Sequence, residues 1–373
     1  MKIVCIGDLQ MHKYSRFPET DSEGVNLRLL DKVNELGRIR RLCTKNRVEV
    51  VCILGDIFEA RNSLEVNVLN ATYNAFQDYA THGIRLILLV GNHDRTDVGR
   101  EHALEVFKPF CEVVDSPTTL RFSHWNIVAV PFHPSARSVR NAIRKCVTQD
   151  TRILLLHTAV KTLKMPNGKT WGEGIDLEDI PKHVLCLMGH YHRWHELRTN
   201  KVFYLGSLME ENQGDASIAK YYAVYDSERG KVDFHLSSGP KFIGVDVDEL
   251  PSEKMTPATL LALEQHYAAL VRGNFVTVKS IPQDCMDLGA VERYMIQCEA
   301  RHVEFALKTQ FPSSPPKILP ESYNDPVHMD VIKTYVEDTE TSLDKEQLVM
   351  DGVDIVQQVI SENTGVNDRV VEV

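Results

Sequence analysis

The chain has no long hydrophobic run, no paired cysteine spacing, no internal repeat, no low-complexity tract and no excess of positive charge. Each absence narrows the field. No uncharged stretch approaches the ~20 residues of a membrane helix, which argues against a spanning protein. Met1-Lys2 is followed by only four apolar residues before Gly7-Asp8, far short of a secretory signal core. The eight cysteines are scattered, and Cys5, Cys52 and Cys186 lie inside strand-like runs where a free thiol behaves as a small hydrophobe. Buried, reduced thiols fit better than a disulfide framework or a structural zinc site, so a cytoplasmic protein is expected. With a net charge of −10, the chain does not advertise nucleic-acid binding as a whole. A phosphate backbone would need a local basic face or a partner that supplies one. What is present is ordinary globular material: 373 residues, 43% apolar and 25% charged, enough for two to three domains.

The hydrophobic pattern alternates strand and helix. Strands are expected at 2–7, 49–55, 84–91, 125–132, 152–158 and 184–190, with helices over 25–46, about 64–82 and 136–148. Near-continuous apolar strands separated by amphipathic helices imply a parallel sheet covered on both faces. After His192 the texture changes. Segments 202–207, 221–226, 231–238 and 242–248 alternate apolar and polar residues, and read as an antiparallel meander completing the sheet system. A second, compact unit is expected from a helix at 257–271, a strand at 275–281 and a helix over about 288–308. Residues 311–327 hold five of the 16 prolines and read as a semi-extended linker. Beyond it, 330–336 and 344–361 are helical in pattern, and Val349, Val353, Val356 and Ile360 form an apolar stripe. A helix pair cannot bury that stripe alone, so it packs on the body or docks on a partner.

Five of the expected strands end in short polar segments: Gly7-Asp8-Leu9-Gln10, Gly55-Asp56-Ile57-Phe58, Gly91-Asn92-His93-Asp94, Leu156-His157-Thr158 and Gly189-His190-Tyr191-His192. In open α/β sheets ligands bind outside the carboxyl ends of the strands, so these distant clusters converge on one mouth. Carboxylate, imidazole and amide groups without thiolate suit manganese, iron, zinc or magnesium. A carboxylate such as Asp56 can serve two ions, one per oxygen. Two ions ~3.5–4 Å apart clamp a phosphoryl group and lower the pKa of bound water toward neutrality. A single Gly-Asp or Gly-His dipeptide is usually a turn. Five in order at strand ends are a site.

These segments, in this order and spacing, resemble the calcineurin-like metallophosphoesterase superfamily. Gly55-Asp56-Ile57-Phe58, the single histidine well ahead of Gly-His-x-His, and Tyr204-Leu205-Gly206-Ser207 are similar to the SbcD-type DNA repair and recombination nucleases. The resemblance implies an α/β fold, a four-layer metallophosphoesterase sandwich of two mixed sheets flanked by helices. A small α+β capping domain and C-terminal helices would follow. It divides the chain into a nuclease domain (1–248), a capping domain (249–310), the linker (311–327) and a helical segment (328–373) that grips an SbcC-type coiled-coil ATPase. The length is similar to that of phage-encoded members, for which the compartment is the host cytoplasm.

Carried over position by position, the resemblance makes Asp8, residue 10, Asp56 and His192 ligands of a first divalent ion. Asp56, Asn92, His157 and His190 would hold a second, manganese being the expected metal. His93 would act at the phosphate, with Asp94 beside it as a catalytic candidate. The expected partners are DNA and the ATPase, in a heterotetramer built on a homodimer. The pattern breaks at one ligand: the family has histidine where this chain has Gln10. A Gln carbonyl is a neutral, weaker ligand than imidazole. Gln10 ligates through oxygen, or water replaces it, or His12 substitutes.

Glu59, Arg61 and Arg95 follow the second and third segments and are candidates to face substrate. Arg137, Arg140, Arg144 and Lys145 give one helix a basic face suited to a phosphate backbone. His12, His133, Trp194 and His195 near the same rim read first as packing or surface residues.

Overall fold

The computed structural model describes residues 1–96, 101–161, 163, 170, 172–246, 265, 267–281, 288–307 and 345. The chain separates into two compact units, Met1–Lys308 and Thr309–Val373. Apart from Lys345, every described residue belongs to the first. The expected linker at 311–327 and the apolar stripe beyond it therefore lie outside the described residues, as does most of the helix expected at 257–271.

Two six-stranded mixed sheets form the body. The first contains β1 (Lys2–Ile6), β2 (Val50–Ile53), β3 (Arg85–Leu89), β4 (Glu112–Val114), β11 (Tyr221–Asp226) and β12 (Lys231–Leu236), in the order β12-β11-β1-β2-β3-β4. The second contains β5 (Thr118–Phe122), β6 (Trp125–Val130), β7 (Thr151–His157), β8 (Leu185–Gly189), β9 (His195–Arg198) and β10 (Val202–Tyr204), in the order β5-β6-β7-β8-β10-β9. Strands β1, β2 and β3 run parallel, as do β7, β8 and β10.

The period of two along each strand sorts residues between layers. Ile3, Cys5, Cys52, Leu54, Ile87 and Leu89 face Ile153, Leu155, Leu185 and Leu187 between the sheets. Their neighbours Val4, Ile6, Val51 and Ile53 pack instead under α1 (Leu27–Lys45) and α2 (Val66–Thr81). On the far side, Val128, Leu154, Leu156 and Met188 pack under α3 (Ala136–Cys146). The result is the expected helix–sheet–sheet–helix stack. Because both faces of each sheet are buried, the strands carry continuous apolar runs rather than alternation. The Asn26 side chain caps α1, accepting from the Arg28 and Leu29 amides. The described cysteines are free, six of the seven buried. No helix among the described residues is long and apolar enough to cross a membrane.

Three expectations fail in detail. Segment 202–207 does not join 221–226 and 231–238 in a meander, since β10 runs parallel to β8 in the second sheet while β11 and β12 lie in the first. Segment 242–248 does not extend the antiparallel meander. β13 (Phe242–Asp246) pairs in parallel with β14 (Phe275–Ile281), which pairs in parallel with β15 (His302–Leu307), in a separate three-stranded sheet. Alternation reports a half-buried strand but not its partner. The helix expected to run from 288 to 308 stops early: α4 spans Leu288–Gln297, and the chain returns as β15. The break is a left-handed residue, Glu299 at φ 64°, with the Cys298 and Ala300 amides bonded back to Tyr294 and Met295. Glycine normally fills that position, so the usual stop signal is missing from the sequence.

Candidate metal centre

The parallel strands of both sheets deliver their carboxyl ends to one place. The turns that follow are unusual: Gln10, Asp56 and His190 are non-glycine residues with φ of 50°, 48° and 94°. Such backbone is costly for residues with a Cβ and gathers at functional sites. The space is equally tight. A Cβ on Gly91 would lie 2.2 Å from the Asp56 amide nitrogen and from Asp56 Oδ1, and one on Gly55 would lie 2.3 Å from His157 Nδ1. These glycines let the second and third segments close on each other and on β7.

His157 is fully buried at the centre. Its Nδ1 lies 2.6 Å from the Leu54 carbonyl, which can only accept, so Nδ1 carries a proton and Nε2 faces the Asp56 and Asn92 oxygens. Nε2 lies 3.0 Å from Asn92 Oδ1 and 3.3 Å from Asp56 Oδ1, while His190 Nδ1 lies 2.8 Å from the same Asn92 oxygen. Asp56, His157 and His190 each offer a ligand atom within 4.8 Å of the others. The contacts of 2.8, 3.0 and 3.3 Å are those of donors around one ion with bonds of ~2.0–2.2 Å. Two oxygens, two imidazole nitrogens and no thiolate suit a divalent ion, and the residues fit one.

The electrostatics mark where a cation belongs: a proton on His157 answers the buried carboxylates, and an ion taking that proton's place would leave the ring neutral to ligate. Burial alone would push the His157 imidazole down, but the Asp56 charge and hydrogen bond, with Asp8 behind, carry it up to about 9. Burial opposes ionisation of Asp56 too, yet the His157 charge holds its carboxyl below the usual carboxylate range. Asp8 is pushed up to about 6 by burial, partly offset by His157. His190 falls to about 3 through burial and the neighbouring His157 charge, which keeps its ring neutral and ready to ligate.

The remaining expected residues divide. Asp8 is fully buried and accepts the His190 amide at 2.9 and 3.0 Å. Gln10 is buried, with its side-chain nitrogen 3.3 Å from Asp56 Oδ2. His192 is half-buried and near enough to lower the Asp8 pKa by its charge. Among the described residues, Asp8, Asp56 and His192 do not gather as tightly as Asp56, His157 and His190 do. His12 turns Nδ1 to the Gln10 carbonyl at 2.8 Å and packs at a tilt against the Tyr14 ring. His93 places Nδ1 2.7 Å from the Glu59 carbonyl and donates its amide to Asp56 Oδ1. Asp94 is fully buried, and its two oxygens accept the Phe58 and Gly91 amides, which makes it a staple between loops. Glu59 and Arg61 are exposed. Arg61 and Arg95 line a cleft of about 1010 Å³ that opens beside Asn92 and His190.

Two buried lysines behind the site escape a sequence reading, since lysine normally signals solvent. Lys32, on α1, donates to the Leu9 and Gln10 carbonyls and pairs with Glu211 at 2.7 Å. Lys220 donates to the His192 carbonyl, Ser207 Oγ and Asp215. The two ammonium groups hold the backbones of Gln10 and His192 from behind. Replacing Lys32 by methionine strands a buried carboxylate, so Lys32→Met should cost about 3–5 kcal/mol in urea denaturation. The double variant Lys32→Met/Glu211→Leu should recover part of that loss, because the stranded charge is gone.

Paired sheets converging on a carboxylate–imidazole–amide cluster define a metal-centred hydrolase class. The calcineurin-like phosphoesterase family model matches residues 1–194, and the chain belongs to that family. It is therefore a metal-dependent phosphoesterase. No curated protein matches the chain. Among solved structures, an archaeal phosphodiesterase aligns at 13% identity and a TM-score of 0.34, covering 63% of this chain and 99% of that one. The nuclease MPE of Pseudomonas putida aligns at 16% and 0.26, covering 59% and 83%.

Proposed function

We propose that this phosphoesterase is a two-metal DNA nuclease that hydrolyses phosphodiesters at DNA ends, the nuclease subunit of an ATPase–nuclease complex in DNA repair and recombination. The observation that carries the reading is the cleft beside Asn92 and His190, lined among the described residues by Arg61, Arg95, Arg140 and Lys161 against one acid, Glu173. Four cations beside the reacting centre suit a chain of phosphates better than one small monoester. Arg140 meets Asp176 at 3.6 Å and Asp179 at 3.9 Å, and Lys161 meets Asp176 at 3.5 Å, so part of this charge is already answered by nearby carboxylates. The basic face of α3 is partly spent in the same way, since Arg144 lies 3.5 Å from Asp179.

Asp56, Asn92, His157 and His190 would hold one ion, and Asp8, Gln10, Asp56 and His192 the other, manganese in both. Such ions supply Lewis acidity and make water a nucleophile at neutral pH. Around them, Asp56 holds His93 through its amide, and the Glu59 carbonyl fixes the ring tautomer. As the imidazolium, with Nδ1–H held by the Glu59 carbonyl, His93 would give its Nε2 proton to the leaving oxygen or hold the phosphate. Arg61 and Arg95 bind flanking phosphates. Segment 328–373 would grip the coiled coil of the ATPase, and two copies of the chain would pair within the assembly.

The deciding experiment is co-purification with a coiled-coil ATPase, then incubation with manganese, ATP and linear duplex DNA. Progressive shortening from the ends is expected. Intact linear DNA beside brisk hydrolysis of a small phosphodiester would overturn the nuclease reading.

The amide at Gln10 carries its own prediction. Calorimetric titration with manganese should give two unequal sites, and Gln10→His should narrow the gap by strengthening the weaker one. The left-handed backbone at residue 10 tolerates histidine. Two equally tight sites, unchanged in Gln10→Ala, would remove Gln10 from the ligand set.

A further inference from the structure

A second set of ligand-type side chains lies away from the centre just described. His102 precedes a short 3-10 turn (Ala103–Phe107) that carries Glu105, and Asp115 directly follows β4. The three offer ligand atoms within 4.8 Å of one another. His102 Nε2 is 3.1 Å from Glu105 Oε1 and 3.6 Å from Asp115 Oδ2. The His102 side chain is only 3% exposed, and neither ring nitrogen has a hydrogen-bond partner. At 3.1 Å the Glu105 oxygen is close enough to bond but lies out of line with the ring N–H. A buried imidazole with no aligned hydrogen bond at either nitrogen is rare and costly. Here the unpaired ring faces two carboxylates.

We propose that His102, Glu105 and Asp115 form a second divalent-cation site, distinct from the catalytic centre and suited to zinc. Three ligands in tetrahedral array at ~2.0–2.1 Å from zinc stand ~3.3 Å apart, and the two imidazole–carboxylate spacings bracket that value. One nitrogen with two carboxylate oxygens favours zinc over magnesium or calcium. The seat already attracts positive charge: Lys108 Nζ reaches Glu105 at 2.7 Å and Asp115 at 3.3 Å. Its side chain is 43% exposed, so it can swing out to solvent and yield the carboxylates.

The site's neighbours tie it to the substrate cleft. His102 bridges to Arg95, Arg95 Nη2 donates to the Asp115 carbonyl at 3.0 Å, and the Ala103 amide donates to the Asp94 carbonyl at 2.8 Å. An ion joining His102 to Asp115 closes the frame around Arg95, a cleft residue. Zinc here acts as a positioning element, whatever the substrate proves to be.

Equilibrium dialysis of the full chain against zinc tests the assignment without reference to DNA cleavage. Wild type should bind one ion more than His102→Gln, and the extra ion should persist in Asp56→Asn, where the catalytic centre is impaired. Lys108→Met removes the competing cation from the surface and should tighten that ion roughly fivefold, in line with the modest strength of exposed ion pairs. If His102→Gln does not fold, Lys108→Met decides alone. Equal stoichiometry in wild type and His102→Gln, or unchanged zinc affinity in Lys108→Met, would overturn the proposal.

Discussion

Asp56→Asn should lower the turnover of phosphodiester hydrolysis on the order of 10³-fold, the scale seen when a fixed electrostatic group leaves a reacting centre. The fold should survive. Asp56 Oδ1 accepts the His93 amide and Oδ2 accepts from the Gln10 side chain. Asparagine can keep its oxygen toward His93 and turn its nitrogen toward Gln10, whose amide then flips to accept. Shape and hydrogen bonding are preserved, while the charge that can serve two ions is lost. The metal response separates this from simple misfolding. A ligand at 100 times its Kd stabilises the native state by about 2.7 kcal/mol, so manganese should raise the Tm of wild type markedly. Asp56→Asn also removes the charge facing buried His157, so its metal-free Tm should shift, but manganese should produce little further rise. A manganese shift equal to that of wild type would remove Asp56 from the centre.

The parts of this centre that could be read without coordinates are those tied to strand ends. Apolar runs such as 84–91 and 184–190 are buried on both faces and advertise themselves, and the polar residue that ends each run sits at the sheet mouth by construction. Asp56, Asn92, His157 and His190 come together for that reason. Residues that act from behind are silent in sequence. Lys32 and Lys220 look like ordinary surface charges, and only the packing of α1 and β11 against the loops takes their ammonium groups out of water. Edge elements were the other blind spot. β4, β5 and β9 are short and only half-buried, so their residues carry little periodicity. The β13–β14–β15 sheet shows the same limit, because parallel pairing is decided by which chain segment returns alongside, a tertiary outcome.

Asp94→Ala should be the most destabilising single change at the centre, and its effect should be structural. The Asp94 carboxyl is fully buried and accepts the Phe58 amide at 3.0 Å and the Gly91 amide at 2.8 Å. Alanine leaves both donors inside the protein without a partner. At about 1–3 kcal/mol for each orphaned group, the loss is roughly 2–6 kcal/mol, a large share of the ~5–15 kcal/mol that holds a typical domain together. Asp94→Asn keeps one acceptor but sets an amide donor against an amide donor, so it should fall between alanine and wild type. Both losses are read by urea denaturation. Hydrolysis distinguishes this staple from a group acting at the phosphate. For a staple, the rate per folded molecule should fall modestly and in step with stability, because the second and third segments drift apart. A turnover loss beyond ~10²-fold in Asp94→Asn with stability intact would instead put the Asp94 carboxyl at the reacting atoms, since removing one positioned proton donor or acceptor costs ~10²–10⁴ in rate.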